Sequence, residues 1–305
     1  MRTLMMIGFA VVAALMATSA SALLSTWDTT STGTGTISGN VLSVTVNGIT
    51  LKARAYSTSA SFAPNVPNAY ATSTSTSANF AGYTTATNGA DFTGINSVVK
   101  SAWQSASIAT YTGGIGVSNS VNPDTVVPQH AIDNNGAMDV VVFELPKGTD
   151  WDSFKINWDQ VDSDVQAWVG GDSLAAGYDF TGVCFVAGCA STKSLASLGF
   201  VEAPNTGGVA TSPNGGAFVN VPLNTSETLS SDQTGRYLIM AGDLGLGSVT
   251  TGNDFFKISS VSATAGLKIL PEPGSIALLG LGLAALGFSR RRAQLRAGRT
   301  QQTSE

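Results

Sequence analysis

The chain has 305 residues, which is enough for one large domain or two small ones together with targeting segments. Only 11% of the residues are charged, below the value of about a quarter for soluble domains, and glycine is abundant, with 34 residues. This composition argues against a helical cytosolic enzyme and favours an exported chain of β-strands joined by long turns.

The formal charge of −5 is unevenly distributed. Residues 23–271 contain nine Lys and Arg against eighteen Asp and Glu, a net charge of −9, whereas the segment after Phe288 contains five Arg and one Glu, a net charge of +4. Nucleic acid is therefore not an expected partner of the acidic body, because phosphate binding requires clustered basic side chains.

Residues 1–22 have the pattern of a secretory signal peptide. Arg2 gives a positive start, an apolar stretch runs from Leu4 to Met16, and Ala20-Ser21-Ala22 supplies the small-residue pattern of a cleavage site. An uncleaved anchor is the alternative, but a run of thirteen residues is short for a membrane span. We therefore expect export, with Leu23 as the first mature residue.

After the signal peptide, residues 23–38 are predicted to be a loosely ordered lead-in anchored by Trp27, and residues 39–268 are predicted to be the folded body. Alternating apolar residues lie on both sides of Asn47-Gly48, a pair that adopts the positive φ angles of a type I′ hairpin turn. Such a hairpin would place three apolar side chains on one face: Leu42, Val44 and Val46.

The Ser- and Thr-rich residues 57–90 are predicted to be a long surface loop, either bare or carrying O-linked sugar. Later apolar or alternating segments predict strands. They are Asp139–Leu145, Trp151–Trp158, Asp164–Val169, Ala217–Val221, Arg236–Ala241 and Phe255–Ala263. Many short strands with Gly-rich turns predict an all-β fold, specifically a jelly-roll-like β-sandwich, with Trp158 and Trp168 in its core.

The two cysteines, Cys184 and Cys189, lie in "GVCFVAGCA". In an exported protein a close pair favours a disulfide across a tight loop, which would stiffen the loop rather than hold the fold together. A zinc site or two unbonded thiols are the alternatives.

Acidic residues form the candidate metal site. "DNNGAMD" and "DQVDSDV" supply closely spaced oxygen ligands of the kind that Ca²⁺ prefers. The candidate ligands are Asp133, Asn135, Asp139, Asp162 and Asp164. The alternative is that these residues bond their own backbone in turns, so Ca²⁺ is a possible cofactor and no other is expected.

Catalytic motifs are not evident. His130 is the only histidine, there is no Gly-x-Ser-x-Gly elbow, and no pair of acids stands out by its spacing. We expect a protein without enzymatic activity, in which His130 is structural. The alternatives are a carbohydrate-binding module that uses exposed Trp, with or without Ca²⁺, and a secreted glycan hydrolase that uses two acids.

The C-terminal region reads "PEPGSIALLGLGLAALGFSRRRA". Residues 274–288 carry no charge and would reach ~22 Å as a helix, against about 30 Å for the hydrocarbon core, so a span is marginal. Arginines after such a helix would stay on the cytoplasmic side. Pro271 and Pro273 would keep the junction before it extended and accessible.

These residues resemble the PEP-CTERM sorting signal of Gram-negative bacteria. The resemblance rests on the PEP motif, the Gly-rich apolar run and the basic cluster, that is, on Pro271, Glu272, Pro273, Arg290, Arg291 and Arg292. It assigns 269–293 to the signal and leaves 294–305 as a polar tail. It implies an exosortase as partner, an inner-membrane-anchored precursor held through 274–288, and delivery to the cell surface or extracellular matrix. A plain single-span anchor with its tail retained is the alternative.

"PQHAIDNNGAMDVVVFEL", followed by "INWDQVDSDVQAWVGG", resembles the central domain of exosortase-dependent surface proteins. That resemblance implies a surface domain and no particular activity. The combined expectation is an exported protein with a structural or adhesive role in biofilm or exopolysaccharide.

Overall fold

A computed structural model describes most of the body and three residues of the C-terminal region. The described residues are 24–30, 35–59, 99–111, 113–118, 130–134, 137–159, 163–189, 193–203, 218, 221–229, 234–242, 255–265, 282, 283 and 286. All of the strands belong to one compact unit, Ala22–Gly266. The prediction of a surface loop at 57–90 is wrong for Ser57 and Thr58, which are buried at the end of a strand, and it lies outside the described residues from residue 60 onward.

The body is all-β. Its described strands are β1 (Leu24–Asp28), β2 (Thr36–Ser38), β3 (Val41–Val46), β4 (Ile49–Thr58), β5 (Trp103–Tyr111), β6 (Gly114–Ser118), β7 (Ile132–Asp133), β8 (Asp139–Glu144), β9 (Asp150–Asp159), β10 (Val165–Gly170), β11 (Phe200–Glu202), β12 (Ser226–Thr228), β13 (Tyr237–Gly242) and β14 (Phe255–Thr264). A 3-10 helix at Ala196–Leu198 precedes β11.

These strands form one large antiparallel sheet. Its order is β11-β10-β13-β8-β4-β5-β6-β14-β9-β12, with β1 and β7 also on β14, and with β2 joined to β4 through β3. Strand β5 connects two parts of the sheet, because its first half, to Ala106, pairs with β4 and its second half, from Ser107, pairs with β6. The all-β prediction is confirmed, while the jelly-roll arrangement stays a prediction.

Strand β8 is buried along its whole length, as its nearly continuous apolar run predicts. Val141 and Phe143 join one hydrophobic cluster, and Val140 and Val142 join a second, because successive side chains point to opposite faces of a sheet. The first cluster also takes residues from β9 and β14, and the second includes aromatic residues of the segment after β10. The middle of the sheet therefore has a core on both faces.

The predicted hairpin at Asn47-Gly48 is confirmed. Val46 pairs with Ile49, and both turn residues have positive φ angles, 53° for Asn47 and 77° for Gly48. Leu42 and Val44 are buried in the first cluster, and Val46 packs against it.

The predicted lead-in contains paired strands, so a loose order for it is wrong. Strand β1 pairs with β14, Trp27 being opposite Val261, and β2 pairs with β3. Trp27 is fully buried, and its indole N–H donates to the carbonyl of Ile49 at 3.2 Å. The anchoring role predicted for this side chain is confirmed.

Strand β9 departs from a regular alternation where it pairs with β14. Ile156 and Trp158 face consecutive residues of β14, so Asn157 is an extra residue on β9. This bulge turns Trp158 away from the face that buries Phe154 and Ile156, and Trp158 is only half-buried. The prediction of Trp158 as a core residue is wrong, whereas Trp168 lies in the second cluster as predicted.

The other predicted strands are found with small shifts in their bounds. Asp164–Val169 corresponds to β10, Arg236–Ala241 to β13 and Phe255–Ala263 to β14. Of 217–221, Phe218 forms an isolated bridge with Val165 and Val221 is buried, while the remaining residues lie outside the described part.

Candidate functional site

The sorting segment falls almost wholly outside the described residues. Pro271, Glu272, Pro273 and the three arginines Arg290, Arg291 and Arg292 are not among them. Gly282, Leu283 and Leu286 are helical, and both leucines are exposed. Within the described residues, the structure contains no helix that is both long and apolar enough to cross a membrane. The transmembrane-like helix at 274–288 stays a prediction.

Three of the acidic candidate ligands lie near one end of the sheet. Asp139 begins β8, and Asp164 directly precedes Val165, which pairs with Gly242 at the end of β13. Because Ala241 of β13 pairs with Val140, these ends of β8, β13 and β10 coincide. Asp133 lies on β7, a short strand that contacts both β8 and β13.

Asp133, Asp139 and Asp164 are all buried, and none of them is without a polar or electrostatic partner. A buried carboxylate requires such partners, because removing it from water is costly. Among the described residues, no group of three or more His, Cys, Asp or Glu side chains is placed to hold a metal ion. Asn135 and Asp162 lie outside that part of the chain, so the five-residue Ca²⁺ site stays a prediction.

The five tryptophans all lie in described segments and are mostly internal. Trp27, Trp103, Trp151 and Trp168 are buried. Trp158 is half-buried, and its ring lies 4.5 Å from Nζ of Lys257. Four of the five side chains are therefore too buried to stack on a sugar ring, and Lys257 lies over the ring of Trp158.

Lys257 lies between two aromatic rings. Its Nζ atom is 4.9 Å from the ring centroid of Tyr111, which ends β5, whereas Trp158 lies on β9. The lysine is only 8% exposed. Tyr111 in turn stacks on His130, with ring centroids 4.7 Å apart and an interplanar angle of 2°. The only histidine is thus packed in an aromatic and cationic cluster, which gives it a structural environment. Lys257 pairs with Trp158 beside the bulge at Asn157, a register that the alternation of the sequence does not predict.

Near the cluster, burial raises the pKa of Asp159, because removal from water disfavours the charged carboxylate, while the backbone partly offsets the effect. Asp159 pairs with Phe256, the residue next to Lys257.

A second polar network links β4, β8 and β13 to the segment after β10. Arg54 on β4 donates from Nη1 to Oε2 of Glu144 at 3.0 Å, and the backbone N–H of Gly177 donates to Oε1 at 2.9 Å. Tyr237 donates its hydroxyl proton to the carbonyl of Ala175 and accepts from the backbone N–H of Tyr178 at 3.1 Å. These bonds tie the segment after β10 to the sheet.

Burial also raises the pKa of the Tyr56 and Tyr237 hydroxyls, so both remain neutral donors. Asp179, which is exposed, has a lowered pKa because the backbone and hydroxyl of Thr181 donate to its carboxylate. Sequence reasoning missed the whole network. Its only signals were an Arg within an alternating strand and a Glu at the end of an apolar one.

Cys184 and Cys189 form the predicted disulfide. Cys184 is buried, and its backbone N–H donates to the carbonyl of Lys193 at 3.0 Å. The bond closes a loop with a sequence separation of 5, next to the aromatic residues of the second cluster. The disulfide restricts the motion of the loop between residues 184 and 189, which lies next to that cluster.

Comparison with known proteins returned no match among curated proteins and none among solved structures. The chain does match one family model, and the match is confined to its C-terminal region. Residues 270–292 match the model of the PEP-CTERM protein-sorting motif.

Proposed function

We propose that the protein is an exported substrate of an exosortase, and that its β-body is displayed at the cell surface or in the extracellular matrix of a Gram-negative bacterium. The PEP-CTERM motif at 270–292 is the observation that carries the proposal. We assign the body a structural or adhesive role without enzymatic activity, in biofilm or exopolysaccharide.

The proposed sorting route follows from the order of residues around the motif. The signal peptide at 1–22 starts export, and the apolar run 274–288 holds the precursor in the inner membrane. Arg290 to Arg292 keep the C-terminal end in the cytoplasm. The exosortase then acts at Pro271-Glu272-Pro273, where the prolines keep the chain extended.

Properties of the body support a passive surface domain. Its large side chains are sequestered in two clusters, and a disulfide suits an oxidising compartment. We further propose a jelly-roll-like sandwich. That proposal is supported by β5, which passes from one group of strands to another, and by a first cluster that draws residues from both groups.

Fractionation of the native host, with and without its exosortase, tests the sorting proposal. The expected result is a shorter chain that has lost Arg290–Arg292 at the surface, and a full-length precursor in the inner membrane when the enzyme is absent. Intact mass measurement gives the cleavage state. A Pro271→Ala, Pro273→Ala variant should behave like the exosortase deletion, whereas Pro222→Ala, at an exposed proline of the body, should be sorted normally. Surface protein that retains its arginines in a strain with active exosortase would contradict the proposal.

The carbohydrate-binding and hydrolase alternatives are separated from this proposal by two assays. Selective binding on a glycan array would favour a binding module. Turnover of polysaccharide that is abolished by a single Asp→Asn change would favour a hydrolase.

A further inference from the structure

A groove of about 520 Å³ lies where the N-terminal half of β4 meets the turn after β8. Its walls include Thr50, Lys52, Pro146, Lys147 and Arg236. The volume is in the range of small-molecule sites and far below what a long polymer requires.

The strand register explains why basic residues meet there. Lys52 of β4 is directly opposite Glu144 of β8, and Glu144 is opposite Tyr237 of β13. The backbone N–H of Leu145 donates to the carbonyl of Arg236 at 3.0 Å, which places Arg236 beside the turn that carries Lys147. Three cations from three separate segments therefore surround one groove.

Among the described residues that line the groove, the one acid is already engaged. Both carboxylate oxygens of Glu144 are bonded, one to Arg54 and the other to the N–H of Gly177. The nearby Asp172 uses Oδ1 to accept the N–H of Gly148 at 3.1 Å. Lys52, Lys147 and Arg236 thus add positive charge that Glu144 does not balance, in a body whose net charge is negative.

Arg236 supplies an independent observation. Its Nε atom is buried, and it has no hydrogen-bond partner among the described residues. A buried guanidinium N–H without an acceptor is unfavourable, so Arg236 has hydrogen-bonding capacity that the described residues leave unused. The planar guanidinium fork matches a carboxylate, which can accept two parallel hydrogen bonds.

We propose that this groove binds a small polycarboxylate, with one carboxylate on Arg236 and a second between Lys52 and Lys147. The three cations come from three separate segments of the chain. The ligand that we infer therefore carries several carboxylates rather than a single charge. A single phosphate would need its donors to converge on one point. Nucleic acid is disfavoured, because the described residues that line the groove include no aromatic ring for base stacking and the body around it is acidic.

Two sources of this ligand chemistry are a short uronic-acid oligosaccharide and a non-sugar polycarboxylate. Titration calorimetry on the purified full chain at low salt would use trigalacturonate and citrate as these two probes. Maltotriose, inorganic phosphate and a short DNA oligonucleotide serve as comparisons. Binding of either carboxylate probe, weakened by added salt, is expected. Binding of trigalacturonate alone would identify a sugar source, and binding of both would identify carboxylate recognition without a requirement for the sugar.

The exposed positions allow variants that leave the core untouched. Lys147→Gln and Lys52→Gln should each weaken binding severalfold, and the Lys52→Glu, Lys147→Glu variant should lose at least tenfold. Arg236→Lys, which keeps the charge but loses the planar fork, should also weaken binding. Lys100→Gln, at an exposed lysine outside the groove, should bind as the parent does. Unchanged melting temperatures of the lysine variants would show that the fold is intact.

The proposal is overturned if neither carboxylate probe binds at millimolar concentration, or if binding survives the double charge reversal. It is equally overturned if maltotriose, phosphate or DNA binds more tightly than both carboxylates. None of these results bears on the sorting proposal, because cleavage at the PEP motif is read from mass and location.

Discussion

Glu144 is the buried acid that joins the sheet to the segment covering it. Its side chain is 6% exposed and that of Arg54 is 17% exposed, so water screens the pair only partly. Glu144→Gln removes the charge opposite Arg54 while keeping the shape, and we expect a loss of about 1–3 kcal/mol in the free energy of unfolding. Urea denaturation measures this loss.

The matched control for that change is Glu227→Gln on the edge strand β12, which should shift stability by less than about 0.5 kcal/mol. An equal effect of the two substitutions would show that the Arg54–Glu144 pair contributes no more than a surface charge.

Asp159 provides a test of pH dependence. Burial raises the pKa of Asp159 in the folded state above its unfolded-state pKa of 3.8. The contribution of this group to the free energy of unfolding is therefore fully present below pH 3.8 and is lost as the pH rises through the folded-state pKa. Asp159→Asn removes a charge that the fold disfavours. We expect its melting temperature at pH 7 to exceed that of the parent by about 1–2 °C, a modest gain because the carboxylate is partly solvated.

That gain should shrink as the pH falls toward 3.5, and calorimetric melting across this range measures it. Asn157→Ala, at an exposed neighbour without a titratable group, should give a difference that does not change with pH. A constant difference for Asp159→Asn as well would refute a raised pKa.

At the scale of elements, the β3–β4 hairpin depends on its turn. Gly48 has a φ of 77°, and a Cβ there would meet no atom within 4 Å, so only backbone conformation opposes a side chain. Gly48→Ala should therefore cost about 1–2 kcal/mol of unfolding free energy, as measured by urea denaturation. Ser43→Ala, in the middle of β3, should cost less than about 0.5 kcal/mol, and a similar value for Gly48→Ala would argue against a strained turn.

The same hairpin shows which elements the sequence determines. Asn47-Gly48 and the alternation around it are local signals, and a continuous apolar run predicts strand β8. Strand β1 pairs with residues more than two hundred positions away, and the bulge at Asn157 exists only relative to β14. Such features depend on long-range register, which a local pattern does not contain.

In the candidate site, too, the features that are local in sequence were predicted and those that depend on long-range strand pairing were not. The sorting motif is a contiguous string and was predicted from its residues, and the family match confirms it. The basic groove was not predicted, because Lys52, Lys147 and Arg236 are far apart in sequence and meet only through the pairing of β4, β8 and β13.

At the scale of the whole molecule, the Ca²⁺ prediction can be tested by the melting temperature of the protein. A metal that binds only the folded state raises the melting temperature, so removal by EDTA should lower it by several degrees, with restoration by excess Ca²⁺ but not by Mg²⁺. An Asp164→Asn variant should lose much of the response, while Asp28→Asn, near the N-terminal end of the body, should keep it. A melting temperature that is indifferent to EDTA would leave the acids as turn and network residues.

The two ends of the body pair with each other. Strand β1 begins two residues after the predicted cleavage site, its Leu24 is opposite Thr264, and β14 ends shortly before the sorting motif at 270. Trp27 stabilises the pairing of β1 with β14, because it is fully buried in the first cluster. Thr29 adds a hydrogen bond by donating its hydroxyl proton to the carbonyl of Ile258 at 2.6 Å. Completion of the fold thus requires both the N-terminal strand β1 and the strand β14 that leads to the motif.

Trp27→Ala should therefore destabilise the entire body rather than fray one strand, by about 3–5 kcal/mol or on the order of 10 °C in melting temperature. Leu24→Ala is the matched control, because Leu24 lies on the same strand with an exposed side chain and should shift stability by less than about 0.5 kcal/mol. Amide hydrogen exchange adds a local readout. The protection of β14 should fall together with that of β8 if the closure is cooperative. Loss of protection confined to β1 would mean that the N-terminal strand is an independent addition to a body that is stable without it.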